Sequence, residues 1–523
     1  MLRVVARWLV PVLLGVVAFA LVLEITVPPG PGLDSDAVSY LGSAESLARR
    51  GELVVPGNDW YADSTGPLTR FPPGYPVAIA LPIRAGMEPS QGARLVNAIA
   101  AFITVATLVM LVCDATAPIM GLLFGGALVV LPAMFEVHVS VLSEPLYLAI
   151  MALTLTAMVR RPERPGLTGG IAALAPLVRY VGVSVLVAAA LWALWPAAAA
   201  RARLRRLGWA LGPGVVAQSL WALRTSLIGT TEPIRQFALY DGLSESLRQG
   251  LSTIAAWLVP EHRWTSPMPH RALVAALVAG LVILVLTLGV RALLDARRSS
   301  VSFADGYPAR VEVAWRAIVA SAMMILSYLA ILVASRLVAD PDIPFDQRLL
   351  SPVMVLVTMA TAIAAFHWWI GASSLPLKTA LMGAGFAWWC AAGRVTAGEM
   401  RRVRLQGSDY ERERWWRSDV IEWGRTAGKG HPLFSNRPPA VYFHLHRAVR
   451  DVPTIEDAAR MQEFADRVRA EDGRVLMFRA PTSAYVTIDS LRRATNLRPV
   501  FEGASGVVFA PSKGSTPASE PSP

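Results

Sequence analysis

Apolar runs of about twenty residues recur along this chain up to about residue 396, each long enough to cross the hydrocarbon core of a bilayer as a helix. Backbone polar groups inside a bilayer must be satisfied within the segment, so runs of this length fold as a bundle of helices. The candidate spans lie at roughly 8 to 27, 94 to 113, 117 to 135, 143 to 159, 167 to 179, 181 to 198, 207 to 229, 271 to 291, 312 to 336, 350 to 370 and 376 to 396, about eleven in all. Composition agrees: of 523 residues, 54% are hydrophobic and only 17% charged, and the mean hydropathy is +0.45. Such a chain is too apolar for water and belongs in a lipid bilayer.

The formal charge of +11 would suit nucleic acid, but much of the arginine excess sits in short clusters between the apolar runs. Arg3 and Arg7, Arg160, Arg161 and Arg164, Arg201 to Arg206, and Arg291 to Arg298 read as loops held in the cytoplasm by the positive-inside bias, and no nucleic-acid partner is expected. The amino terminus is then inside, and an odd number of spans sends the carboxy-terminal region outside. Residues 167 to 198 lie between two arginine-rich loops, so they go out and return as two short helices with Arg179 and Tyr180 at the external tip. The first span reads as a retained anchor rather than a cleaved signal, because Glu24 and Pro28-Pro29 follow it without a small-residue cleavage site. Two cysteines, Cys113 and Cys390, support neither a disulfide framework nor a thiolate metal site.

The expected organisation is a transmembrane domain over 1 to 396, with a long first external loop at 28 to 92, and an extracytoplasmic α/β domain over 397 to 511. In the latter, 409 to 426 reads as one helix with Trp415, Trp416, Ile421 and Trp423 on its apolar side. Strands are expected at 432 to 435, 474 to 479 and 506 to 510, separated by helices near 438 to 447, 457 to 470 and 486 to 495. Residues 512 to 523, built from Ser, Pro, Gly, Thr and Glu, read as a disordered tail. No internal repeat stands out.

The chemistry concentrates at the external ends of spans. Asp34-Ser-Asp36-Ala-Val-Ser-Tyr40 opens the first loop. On a helix from about Asp36 to Arg49, Asp36, Tyr40, Ala44 and Ala48 share one face. Either acid could simply cap that helix; a positioned carboxylate can also take a proton from an attacking hydroxyl. Ser143-Glu144-Pro145 is a helix-start signature as well, but a Glu at the apolar boundary is costly without a partner or a function. Glu136 and His138 lie nearby. Arg179, Arg224, Arg235 and Arg348 fall at or near external span ends, where bidentate arginines suit a lipid-linked phosphate or diphosphate. For each, the alternative is an arginine that snorkels to headgroups or pairs with a neighbour such as Asp346.

These motifs, in their order and sidedness, resemble the GT-C superfamily of polytopic glycosyltransferases, in particular bacterial members related to protein O-mannosyltransferases and lipid A aminoarabinose transferases. The resemblance rests on Asp36 with Tyr40, the helix ending at Arg50-Gly51, Phe71-Pro-Pro-Gly-Tyr-Pro76, Ala93 to Asn97, Ser143 to Leu146, Arg179 to Gly182, Trp221 to Arg224, Gln347 to Pro352 and Ser435 to Pro439. It covers most of the chain through short, degenerate motifs. It implies transfer of a sugar from a polyprenyl-phosphate donor to an acceptor on the extracytoplasmic face. In that frame Asp36 is the general base and Glu144 positions or polarises the acceptor or a metal. Arg179 and Arg348, with Arg224, hold the donor phosphate, and Tyr40, Tyr75 and Tyr180 contact substrate. The acidic motif reads Asp-Ser-Asp where the family has adjacent acids, which leaves the leading role open between Asp34 and Asp36. Divalent-metal dependence varies among relatives, and no cofactor is fixed by these residues.

Two other classes compete with this reading. A polytopic transporter or flippase of a lipid-linked or anionic substrate would show repeated halves and interrupted helices at matched positions, which this sequence lacks. A non-catalytic scaffold would explain the carboxy-terminal domain but not the ordered acidic and arginine landmarks. Sugar, acceptor and lipid length are not legible in the motifs.

Overall fold

The computed structural model describes residues 2–55, 66–195, 199–228, 238–260, 269–298, 307–371, 374–453, 458–479 and 486–512. Arg235 and nearly all of the carboxy-terminal tail lie outside them. The chain divides into two compact units. One comprises Met1–Pro31 with Thr69–Leu405, the other Gly32–Leu68 with Gln406–Pro523. The boundary expected near 396 falls inside a single helix, Leu375–Gln406, and the first part of the external loop joins the carboxy-terminal unit.

The first unit is a helical bundle of a multi-pass membrane protein. Among the described residues, five helices are long and apolar enough to span a bilayer: Arg7–Ile25, Pro89–Ala115, Leu273–Arg298, Tyr307–Val338 and Gln347–Gly371. A sixth span is available if Pro118–Val130 and Pro132–Val139 act as one, bent by 58° where Pro132 follows Leu131; proline removes a backbone donor and clashes with the preceding turn. Helix also occupies the other expected positions, but in forms that miss that standard. Glu144–Arg160 has 17 residues, Pro165–Val178 and Tyr180–Leu194 are short apolar pieces meeting at Arg179, and Ala200–Ile228 opens with four arginines. The two short helices expected on either side of Arg179 are therefore present, while the count of about eleven spans is not reached on length and apolarity alone.

Packing within the bundle relies on close backbone approach. Leu2–Ile25 runs along Pro89–Ala115, and Pro269–Arg298 runs along Gln347–Gly371. At the second pair a Cβ on Gly289 would lie 2.3 Å from the Ala364 carbonyl oxygen, so only glycine fits. Leu273, Leu277 and Ile283 on the outer face of the glycine-bearing helix are exposed, as a lipid-facing surface requires.

The second unit is built on a five-stranded sheet. A two-stranded ribbon, β1 (Val54–Val55) with β2 (Gly66–Pro67), precedes it in the chain. The sheet contains β3 (Leu433–Ser435), β4 (Val449–Asp451), β5 (Arg474–Phe478), β6 (Leu497–Glu502) and β7 (Gly506–Pro511), in the order β4-β3-β5-β7-β6. β3 is parallel to β4 and β5; β7 is antiparallel to β5 and β6. Alternation along the strands builds two cores: Val475, Met477, Val507 and Phe509 face Met461, Phe464 and Leu491, while Leu476, Phe478 and Val508 face Trp415, Ile421 and Val441.

Three strands and three helices lie where expected; β4 and β6 were not anticipated. The single helix expected over 409 to 426 is two, Glu413–Trp416 and Asp419–Arg425. Ser418 breaks it by capping the second, its hydroxyl accepting the Ile421 N–H. Trp415 and Ile421 are buried, but Trp416 is exposed. Leu33, in the other chain segment of this unit, forms a parallel bridge with Asp409, and its carbonyl accepts the Tyr410 N–H at 2.9 Å.

Candidate functional site

Glu144 is the first residue of the Glu144–Arg160 helix and is 2% exposed. Two guanidinium groups hold it. Arg179 Nη1 lies 2.5 Å from its Oε2 and also donates to the Ser143 hydroxyl at 3.0 Å, and Arg348 Nε donates to its Oε1. The three charges come from separate elements. Arg179 has extended backbone between the two short apolar helices, with φ −147°, and Arg348 is the second residue of Gln347–Gly371. Asp346 precedes that helix and accepts the Leu349 N–H at 2.9 Å, a capping arrangement. One turn inward, Tyr147 and Tyr328 pack with ring centroids 6.2 Å apart. Tyr328 donates to the Leu349 carbonyl, tying the start of Gln347–Gly371 to the neighbouring helix.

Two guanidiniums converge on one buried carboxylate, with a second carboxylate, Asp346, beside Arg348 at the start of the same helix. Bidentate guanidinium geometry fits phosphate. Sequence reasoning named all three residues; their convergence on one carboxylate is what the fold adds.

The acidic motif belongs to the second unit. Its helix spans Ser35–Arg50 and ends at Gly51, whose φ of +78° is a conformation glycine adopts readily. Asp34 is the N-cap, with Oδ1 accepting the Ala37 N–H at 2.9 Å. Asp36 lies in the first turn, where a carboxylate also complements the helix dipole. Tyr40 is buried on the same helix. This helix packs on Pro438–Leu445.

Other candidates have structural partners. Tyr75 is fully buried and donates to Asn97 Oδ1 at 2.9 Å, and Asn97 in turn donates to the Ser140 carbonyl at 2.6 Å. Tyr180, partly exposed, donates to the Thr69 carbonyl at 3.1 Å. Arg224 lies over the Trp221 ring at 4.8 Å. Glu136 accepts from Gln347 at 2.7 Å, and His138 bonds the Met134 carbonyl one turn back. Among the described residues, no three His, Cys, Asp or Glu side chains gather where they could hold a metal ion.

Sequence reasoning missed a second buried carboxylate held by two arginines. Asp114, in the last turn of Pro89–Ala115, pairs with Arg7 at 2.5 Å and Arg160 at 2.5 Å. Arg160 ends the helix that Glu144 begins, so the two groups sit about 24 Å apart along it. The available signal was an acid at the end of an apolar run, costly there unless paired.

Searched by sequence, the chain matches no family model and no curated protein. Among solved structures it is similar to the ArnT of Cupriavidus metallidurans bound to undecaprenyl phosphate, at 15% identity and a TM-score of 0.44, over 96% of this chain and 97% of that one. It is also similar to the oligosaccharyltransferase AglB of Archaeoglobus fulgidus in complex with an inhibitory peptide and a dolichol-phosphate, at 10% identity and a TM-score of 0.49, over 90% of this chain and 69% of that one. At these identities and TM-scores no residue role is carried across.

Proposed function

We propose that this protein is a polytopic membrane glycosyltransferase that moves a sugar from a polyprenyl-phosphate donor to an acceptor at the extracytoplasmic face. The observation that carries this reading is the buried Glu144 carboxylate held by Arg179 and Arg348 at the ends of apolar helices. Two guanidiniums at that boundary suit a phosphate whose polyprenyl tail remains in lipid. In this reading about eleven helices cross the bilayer, the amino terminus is cytoplasmic and the second unit is extracytoplasmic.

The roles follow from the chemistry of each side chain. Arg179 and Arg348 hold the donor phosphate, while Glu144 orients both guanidiniums and offsets one charge before the donor arrives. Asp36 removes the acceptor proton as the hydroxyl attacks the anomeric carbon, and the lipid phosphate leaves as a stable anion. Asp34, whose carboxylate caps the helix, sets the position of Asp36.

The test is incubation of the purified protein with a panel of polyprenyl-phosphate sugars, following donor consumption. Consumption of one donor by the parent, lost in Asp36→Asn and weakened in Arg348→Ala, supports the reading. A parent protein that binds and consumes none of the panel refutes it.

A further inference from the structure

Most arginines of the second unit are already spent. Arg417, Arg425, Arg450, Arg474 and Arg479 pair with carboxylates, and Arg447 donates to three backbone carbonyls. Arg412, Arg414 and Arg437 differ. Among the described residues none of their guanidiniums forms an ion pair or a hydrogen bond, and the Nε atoms of Arg412 and Arg437 are buried without a partner. Burying a guanidinium N–H unpaired is costly, so a fold retains it where something else supplies the acceptor.

Trp415 packs edge-on against Phe478 with ring centroids 5.0 Å apart, and Phe478 is the residue that Asn436 holds, so the Arg412–Arg414 segment lies next to the strand end that carries Arg437. Burial lowers the Arg414 pKa first, and the charges of Arg412 and Arg437 lower it further, while Asp409 and Tyr410 act in the opposite direction. The neighbouring Glu411 does not cancel this charge at mildly acidic pH, because burial pushes its carboxyl up to about 7. Glu413, between Arg412 and Arg414 in the chain, pairs with Arg417 instead.

Arg437 is also held in place. Ser435 is fully buried; its hydroxyl accepts the Arg437 N–H at 3.0 Å and donates to the Leu476 carbonyl at 2.8 Å. Asn436 is 4% exposed and clamps Phe478, donating to its carbonyl at 3.0 Å and accepting its N–H at 2.9 Å. Arg437 thus projects from a strand end locked by two buried polar side chains. The helix that follows opens with Pro438 and Pro439, which have no N–H to offer, so an anion here is bound by guanidiniums rather than backbone. Asp409 of this neighbourhood is bridged to Leu33, the residue before the Asp34–Asp36 motif.

We infer that Arg412, Arg414 and Arg437 form a binding site for a phosphate ester on the second unit, beside the segment that carries Asp36. The Ser435-Asn436-Arg437 segment then has a purpose: it fixes one guanidinium of the three. Assigning the ester to a substrate of sugar transfer rests on the proposed function; the anion site itself stands on the second unit alone.

The test uses the full-length protein in detergent carrying Arg348→Ala, which weakens the candidate phosphate site in the first unit. Farnesyl phosphate and inorganic phosphate are titrated calorimetrically at low salt. Each of Arg412→Gln, Arg414→Gln and Arg437→Gln should weaken binding about tenfold, whereas Arg437→Lys, which keeps the charge, should retain most of it and shows that the fold tolerates the change. Losses for both probes support recognition of the phosphate group itself; a loss for farnesyl phosphate alone supports a lipid-linked phosphate. Binding within twofold of the parental background in all three Gln variants overturns the site. Sugar transfer is read in the protein with Arg348 intact: loss of binding in the Gln variants with no transfer by that protein would leave this site standing while the glycosyltransferase reading falls, and transfer by it with unchanged binding in the Gln variants would do the reverse.

Discussion

Replacing Glu144 by Gln removes the shared charge of a three-residue group while keeping its shape. The Glu144 side chain is 3% exposed and its partners Arg179 and Arg348 are 13% and 24% exposed, so screening by water is weak. With charge centres about 4 Å apart and an effective dielectric of about 20, each pair contributes roughly 4 kcal/mol of gross attraction. Desolvating three charged groups cancels much of that, and the intact group adds little net stability. Breaking it is different: two guanidiniums would remain partly buried beside a neutral amide, with an expected cost of about 3 to 5 kcal/mol. Asp114→Asn is the internal comparison, since it breaks the Arg7–Asp114–Arg160 group of the same composition. Both variants should lower the apparent midpoint of denaturation in detergent. They should part company in donor binding. With Glu144 neutral, both arginines are available to phosphate, so Glu144→Gln should change donor affinity and turnover per folded molecule, whereas Asp114→Asn should alter neither. If both substitutions changed stability alike and donor binding not at all, the Glu144 group would be a structural clasp like its counterpart, and the donor-site reasoning would be wrong.

Asp36→Asn should reduce turnover by about 10² to 10⁴-fold with donor binding intact, measured by sugar transfer; an active variant would remove Asp36 as the base. Asp34→Asn should be nearly silent, because Asn caps as well as Asp, whereas Asp34→Ala should cost about 1 kcal/mol, read from thermal denaturation. Arg179→Ala and Arg348→Ala should each weaken donor binding by about 2 to 5 kcal/mol, with Lys restoring only part of it; direct titration with donor checks this, and unchanged binding in both variants places the phosphate elsewhere. Glu411, with its carboxyl pushed up to about 7 by burial, should give a pH signature. The folded state holds a proton that the unfolded chain releases near pH 4.5, so this contribution is full below about 4.5 and is lost as pH rises through about 7. Glu411→Gln should therefore gain apparent stability relative to parent between pH 5 and pH 8, and a difference that does not change with pH would contradict the assignment.

Much of this protein is written in its local sequence. Apolar runs of span length demand helices in lipid because nothing else satisfies the backbone there, and helices lie at the expected positions. Asp34 as a cap and Gly51 as the helix stop follow from residue chemistry within one turn. Alternation in Arg474–Phe478 and Gly506–Pro511 marks strands because each inward residue meets a core. The short strand β4, with Arg450 and Asp451 in it, and β6, interrupted by Pro499, carry too little local pattern to be read, and only their neighbours β3 and β7 make them strands.

Tertiary structure alone decided which charges meet. The sequence contains Glu144, Arg179 and Arg348 as separate landmarks up to 204 positions apart, and no periodicity connects them; packing of three helical elements does. The same holds for Asp114 with Arg7 and Arg160. It also assigned the Asp36 helix to the unit of the carboxy-terminal sheet, through the pairing of Leu33 with Asp409. Hydrophobic period is a local property and survives in one dimension. Partner choice among arginines is not, since a charge is satisfied by whichever opposite charge the fold delivers within reach, and that delivery depends on every packing contact between them.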